Sequence, residues 1–279
     1  MKTILAIFTV LLVCSCAQPT PPPEIKYREY GEGERVLLFV HGWCINGSYW
    51  QHQVDAFRNS YRVITVDLAG YGDSKVARTD WSFDKYADDI VNLIEFLDLN
   101  HIVLIGHSMA GSIVMRVANR LPERISSVIG VDNFKDLSTA LDSTQLSQME
   151  QLMDLLRRDY RHTAVEISRA TLFSESTDSS VIERVLTDVA NADPEVSIAS
   201  IQSVMKEYQN ERQLLRGLKM PLYLINSDIT PTQGDSLAAY CKSSVVVKLV
   251  SGTGHYPMIE KPREFNDRLE EILTEMKWR

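Results

Sequence analysis

The segment Gly106-His107-Ser108-Met109-Ala110-Gly111, which follows directly on His101-Ile102-Val103-Leu104-Ile105, constrains the fold of this 279-residue chain more than any other feature. A short apolar run closed by small residues reads as a buried strand, a sharp turn and a helix that begins at once. Small residues belong on both sides of such a turn because neighbouring backbone passes close to it. The pattern is G-x-S-x-G with Ala110 in place of the second glycine; the extra methyl predicts a slightly more open turn, and Gly111 stands next door. A serine at the apex projects its hydroxyl beyond the strand end, where a base and a substrate carbonyl can both reach it. That is the position of a nucleophile.

The flanking sequence alternates strand and helix. Arg35 to Val40, Tyr61 to Asp67 and His101 to Gly106 read as buried strands, the first three of a series continued by Ile125 to Val131, Pro221 to Asn226 and Val245 to Val250. Phe83, Tyr86, Ala87, Ile90, Ile94 and Leu97 form one helical stripe with Ser82 as its N-cap. Ile113, Val114, Val117 and Leu121 form another, which Pro122 ends, and Pro262 to Trp278 reads as a closing amphipathic helix. Strands joined by helices imply a mostly parallel sheet. Between Asp132 and Pro221 the strands vanish. Met149, Leu152, Met153 and Leu156, then Val181, Ile182, Val185 and Leu186, then Ile198, Ile201, Met205 and Tyr208 are helical stripes, and Asp193-Pro194-Glu195 is a helix start. This predicts an inserted helical block over 134–215, long for a loop and suited to a cap.

The first residues are not fold. Lys2 precedes an uncharged apolar run from Thr3 to Val13, too short to span a bilayer and typical of a signal-peptide core, so that 1–15 are expected to be removed. Val13-Cys14-Ser15-Cys16 resembles a bacterial lipoprotein signal, in which Cys16 would become the lipidated N-terminus. That implies an exported protein anchored to a membrane through its lipid; the absence of aspartate after Cys16 points to the outer membrane, with the domain in the periplasm or on the cell surface. Residues 16–23 hold four prolines in five positions and read as an extended stalk, and the folded part begins near Glu24. The core is then expected over 24–133 and 216–279. A hydrophobic content of 44% supplies a sizeable core, and a net charge of -8 argues against nucleic acid as a partner. Of the four cysteines only Cys44 and Cys241 lie beyond the signal region; either they form one bridge or Cys44 is a free thiol beside the site.

Four motifs fall at the C-terminal ends of predicted strands: His41-Gly42-Trp43, Asp67 to Ser74, the serine turn, and Ser251-Gly252-Thr253-Gly254-His255. In this order they resemble the α/β-hydrolase fold, from about Arg35 to the C-terminus. The resemblance implies a serine hydrolase with Ser108 as nucleophile and His255 as base. Of the other histidines, His41 and His107 are expected to brace loops. The orienting acid is expected to be Asp228, with Asp132 as the alternative, since both satisfy the chain order Ser, acid, His. The backbone N–H groups of Met109 and Trp43 would form the oxyanion hole, and His41, Gly42 and Trp43 would contact substrate, with Tyr49 and Trp50 near the mouth.

No H-E-x-x-H and no phosphate-binding P-loop occur, so neither metal nor cofactor is expected. The reading is hydrolysis of a carboxylic ester or thioester of a small, partly apolar molecule through an acyl-enzyme. Two alternatives stand beside it: a C–C bond or amide hydrolase with the same three residues, and a binding lipoprotein whose hydrolase fold has lost activity.

Overall fold

A computed structural model describes residues 22–135, 137 and 143–277. The signal reading of 1–15, the lipidation of Cys16 and the stalk up to residue 21 lie outside the described residues. Seven strands among the described residues form one sheet: β1 (Tyr27–Tyr30), β2 (Val36–Val40), β3 (Arg62–Val66), β4 (Ile102–His107), β5 (Ile125–Val131), β6 (Leu222–Ser227) and β7 (Val245–Val250). Their spatial order is β1-β3-β2-β4-β5-β6-β7. Only the β1–β3 pair is antiparallel. The central strands β2 and β4 are buried at every residue, as expected for a sheet covered on both faces. Sequence reading missed β1, because Tyr27-Arg28-Glu29-Tyr30 has no apolar run; it is an edge strand whose middle residues face solvent.

The helices are α1 (Gln51–Phe57), α2 (Phe83–Phe96), α3 (Ala110–Arg120), α4 (Ser143–Arg158), α5 (Tyr160–Thr171), α6 (Ser179–Asn191), α7 (Pro194–Gly217), α8 (Gly234–Tyr240), α9 (Pro257–Glu260) and α10 (Pro262–Glu275). Ser82 caps α2 by accepting a hydrogen bond from the Lys85 backbone N–H at 3.3 Å. Helix α3 runs antiparallel to the strands it follows, and nine of its residues are buried.

Among the described residues, four consecutive helices, α4 to α7, stand between β5 and β6 and end at Gly217. They are fastened to the core by polar contacts rather than by apolar packing alone. The Tyr49 hydroxyl donates to Asp188 on α6 at 2.7 Å, the Trp43 indole N–H donates to the Ser197 carbonyl on α7 at 2.9 Å, and the Tyr71 hydroxyl donates to Ser200 at 2.9 Å. These anchors place Tyr49 and Trp50 differently from the expectation of a cleft mouth. Both are fully buried, Trp50 against Phe39 and Phe265. Cys44 and Cys241 are free thiols, so no bridge forms. Cys44 lies against Tyr160 and Ser197, and burial pushes its thiol up to about 12, which leaves it protonated at neutral pH.

Candidate active site

Ser108 sits at the turn between β4 and α3 with φ of 53°, in the left-handed region that a side chain other than glycine enters at a cost. Several contacts hold it there. Its N–H donates to the Val131 carbonyl at 2.9 Å, its carbonyl accepts from the Gly111 N–H at 2.9 Å, and the Asn133 amide donates to the Gly106 carbonyl at 2.9 Å and the Ser108 carbonyl at 3.4 Å. A side chain at Gly106 would come within 2.6 Å of the Ala110 carbonyl, and one at Gly111 would overlap the Asn133 amide. The second small-residue requirement thus falls on Gly111, one position later than in G-x-S-x-G.

His255 lies in the loop between β7 and α9. Its Nδ1–H donates to Asp132 Oδ2 at 2.6 Å. The other oxygen of Asp132 accepts from the Ser227 N–H at 2.8 Å and the Ser227 hydroxyl at 2.7 Å, and pairs with Lys135 Nζ at 2.7 Å. Burial works against the charge on Asp132, but the hydrogen bond and charge of His255 and the Lys135 ammonium outweigh it, holding the carboxyl well below its ordinary range. The expectation of Asp228 as the acid is corrected by this geometry. Asp228 is exposed, and its carboxylate accepts the Gly252 N–H at 2.8 Å, bracing the loop that leads to His255 rather than touching the imidazole. Asp132 reaches the imidazole because it directly follows β5, the strand hydrogen-bonded to β4, with a φ of 49°.

Two further histidines support this arrangement. His107 Nε2 donates to the His255 carbonyl at 2.8 Å, and its ring lies 4.8 Å from the His255 ring, centre to centre. Burial and the neighbouring His255 lower its imidazole to about 3, so it is neutral. His41 donates from Nδ1 to the Gly42 carbonyl at 2.7 Å and accepts the Leu68 N–H on Nε2 at 2.9 Å; burial lowers it to about 4. With both ring nitrogens engaged inside the core, His41 is not among the residues lining the cleft, against the expectation of a substrate contact, and braces the loop after β2, as also expected. Gly42 passes so close to the serine turn that a side chain there would lie 2.5 Å from His107 Nδ1 and 3.1 Å from Ser108 Cβ. Its place in the site is steric clearance.

Ser108, Asp132 and His255 share one cleft of about 580 Å³ with Trp43, Met109, Phe83 and Tyr256, closed on its far side by residues of α5 and α7. Met109 is the N-cap position of α3, where backbone N–H groups have no partner within the helix. The arrangement is chemically capable of proton transfer. Asp132 fixes the tautomer of His255 with its proton on Nδ1, leaving Nε2 free to accept one. Sequence reading missed Asn133, Lys135 and Ser227 as supports of the acid and of the turn. The only local signal was the spacing of Lys135 three residues after Asp132. Among the described residues, no three His, Cys, Asp or Glu side chains cluster to hold a metal ion.

Residues 35–262 match the model of the alpha/beta hydrolase fold family, and the chain belongs to that family. It is similar to a non-heme chloroperoxidase of Kitasatospora aureofaciens, 40% identical over 98 residues, a match that covers 35% of each protein. Over a longer span it is 23% identical to a strigolactone esterase of Pisum sativum, covering 89% of this chain and 96% of the relative. Among solved structures, a thermophilic esterase from Thermogutta terrifontis superposes with a TM-score of 0.78 at 25% identity, covering 90% of this chain and 93% of the other.

Proposed function

We propose that this protein is a serine hydrolase that cleaves a carboxylic ester or thioester of a small, partly apolar molecule. The single observation that carries the reading is the 2.6 Å bond between His255 Nδ1 and the buried Asp132 carboxylate, in a cleft that also holds the strained Ser108. The esterases among the relatives and solved structures support it. His255 Nε2 takes the Ser108 proton as Oγ attacks the ester carbonyl. The backbone N–H groups of Met109 and Trp43 stabilise the oxyanion, each worth about 2.7 to 4 kcal/mol in the transition state. The imidazolium, steadied by Asp132, returns the proton to the departing alcohol or thiol. Water, deprotonated by His255, then releases the acid and restores Ser108.

A fluorophosphonate probe tests this. Labelling of the wild-type protein that disappears in Ser108→Ala, together with loss of p-nitrophenyl ester hydrolysis, is the expected result. A folded protein that takes no label is a binder instead, and hydrolysis that survives Ser108→Ala overturns the mechanism.

The N-terminal sequence supports a second part of the proposal: export, removal of 1–15, and anchoring through lipidated Cys16 at the outer membrane. Cys16→Ala is expected to move the protein from the membrane to the soluble fraction. An unchanged distribution rejects the anchor.

A further inference from the structure

We infer that the wall of the cleft formed by Phe83, Ser112 and Glu211 is a binding subsite for an ammonium group, so that the substrate arm beyond the scissile bond carries a positive charge. The inference rests on the reading of Ser108 as an ester-cleaving nucleophile and adds the chemical class of its substrate.

Ser112 lies on the first turn of α3, just beyond the serine turn, and lines the same cleft as Ser108. Its hydroxyl donates to Glu211 Oε1 on α7 at 3.0 Å. One turn further on, Arg116 ties this wall together. It donates to Glu207 Oε1 at 2.7 Å, to Asp84 Oδ1 at 3.2 Å and to the Ser112 carbonyl at 3.2 Å. Asp84 is the neighbour of Phe83, so Phe83, Ser112, Glu207 and Glu211 make one continuous surface, and all four line the cleft.

The charges on this surface do not balance. Glu207 is paired with Arg116, and at the other end of the cleft Asp132 is paired with Lys135. Glu211 has no cation within ion-pair distance among the described residues, only the Ser112 hydroxyl. Burial, reinforced by the Glu207 charge, pushes its carboxyl up to about 7, the Ser112 hydrogen bond and Arg116 notwithstanding. A cation in the cleft would supply the missing partner, and the aromatic residues Trp43, Phe83 and Tyr256 line the same cleft, side chains of the kind that hold ammonium groups. A separate observation also points to a polar ligand. Ser168 on α5 lines the cleft, is 1% exposed, and its hydroxyl has no hydrogen-bond partner among the described residues. An anionic arm would meet an unbalanced carboxylate, and a purely apolar one would leave both Glu211 and Ser168 unmatched.

The test compares acetylthiocholine with its uncharged isostere S-(3,3-dimethylbutyl) thioacetate on the full protein, and in parallel titrates choline into the Ser108→Ala variant by calorimetry. The cationic thioester is expected to be preferred in kcat/KM at least tenfold at pH 8.5 and much less at pH 6, where Glu211 holds its proton. Glu211→Gln is expected to bring the two substrates within about twofold at both pH values, and to abolish choline binding when combined with Ser108→Ala. Hydrolysis of the neutral thioester equal to or faster than that of the cationic one at pH 8.5 overturns the subsite while leaving the hydrolase reading intact. Choline binding without turnover of either thioester keeps the subsite and rejects the hydrolase reading. Choline binding to Ser108→Ala that is absent at pH 8.5, or that does not weaken between pH 8.5 and pH 6, rejects the subsite even if Glu211→Gln fails to fold.

Discussion

Asp132 and Asp228 differ by what surrounds each carboxylate, and single substitutions separate their roles. Asp132 bonds the imidazole and is in turn held by Ser227 and Lys135. Asp132→Asn removes the charge that stabilises the imidazolium and unsettles the tautomer of His255; a loss of about 10⁴ in kcat is expected, with binding of a substrate analogue largely retained. Asp228→Asn keeps an acceptor for the Gly252 N–H, and steady-state kinetics are expected to stay within about threefold of wild type. Glu211 has a signature in stability. Its folded carboxyl, near 7, lies above the ordinary value of 4.5, so between these values the native state holds a proton that the unfolded chain has released. Stability from this group is therefore full below about 4.5 and falls as pH rises through 7, by up to roughly 3 kcal/mol. Glu211→Gln, which keeps an acceptor for Ser112, is expected to match wild type in urea unfolding at pH 5 and exceed it at pH 8.5. Equal gains at both pH values would count against a buried carboxylate. The candidates Ser108 and His255 were legible because each lies in a short, distinctive segment. Glu211 was not, since a glutamate in a helical stripe looks like any solvated one until the facing helix is known.

At the scale of the element, the unit that matters is β4, the serine turn and the start of α3. Local pattern predicts it because each part has its own signal: an apolar run, small residues, then a helical stripe. Edge strand β1 has none, as its four residues hold no apolar run and are recognised only through partners on β3, by the backbone ladder and by the Glu29–Arg62 ion pair. The turn stores strain, with Ser108 at φ of 53°. Ser108→Gly is expected to abolish activity yet raise stability by about 1 kcal/mol, because glycine adopts that conformation freely. Unfolding of Ser108→Gly beside Ser108→Ala separates backbone strain from the loss of the hydroxyl. Gly111→Ala, by contrast, drives a methyl into the Asn133 amide that clamps the turn. It is expected to lower both stability and activity, readable as a fall in the unfolding midpoint and in fluorophosphonate labelling rate.

For the whole molecule, the mostly parallel sheet sets the strand ends side by side, and residues of α4, α5 and α7, between β5 and β6, line the far side of the cleft. The closure depends on a few polar fastenings, so Trp43→Phe, which keeps an aromatic six-membered ring but removes the pyrrole with the N–H donated to Ser197, is expected to cost at least about 1 kcal/mol in unfolding and to raise KM more than it lowers kcat. Strands β2 to β7, helices α2, α3 and α10, the helical character of the stretch between β5 and β6, the serine turn and the histidine loop were legible in sequence alone, because periodicity and turn chemistry act over a few neighbouring residues; β1, α1, α5 and α8, short or weakly patterned, were not. Which carboxylate meets the imidazole was decided only by the tertiary structure. His255 and Asp132 are 123 positions apart, chain order permits Asp228 equally well, and the choice falls to the pairing of β5 with β4 and the left-handed backbone at Asp132. The same holds for the charge left unmatched at Glu211, since whether a carboxylate has a partner depends on what packing brings to it.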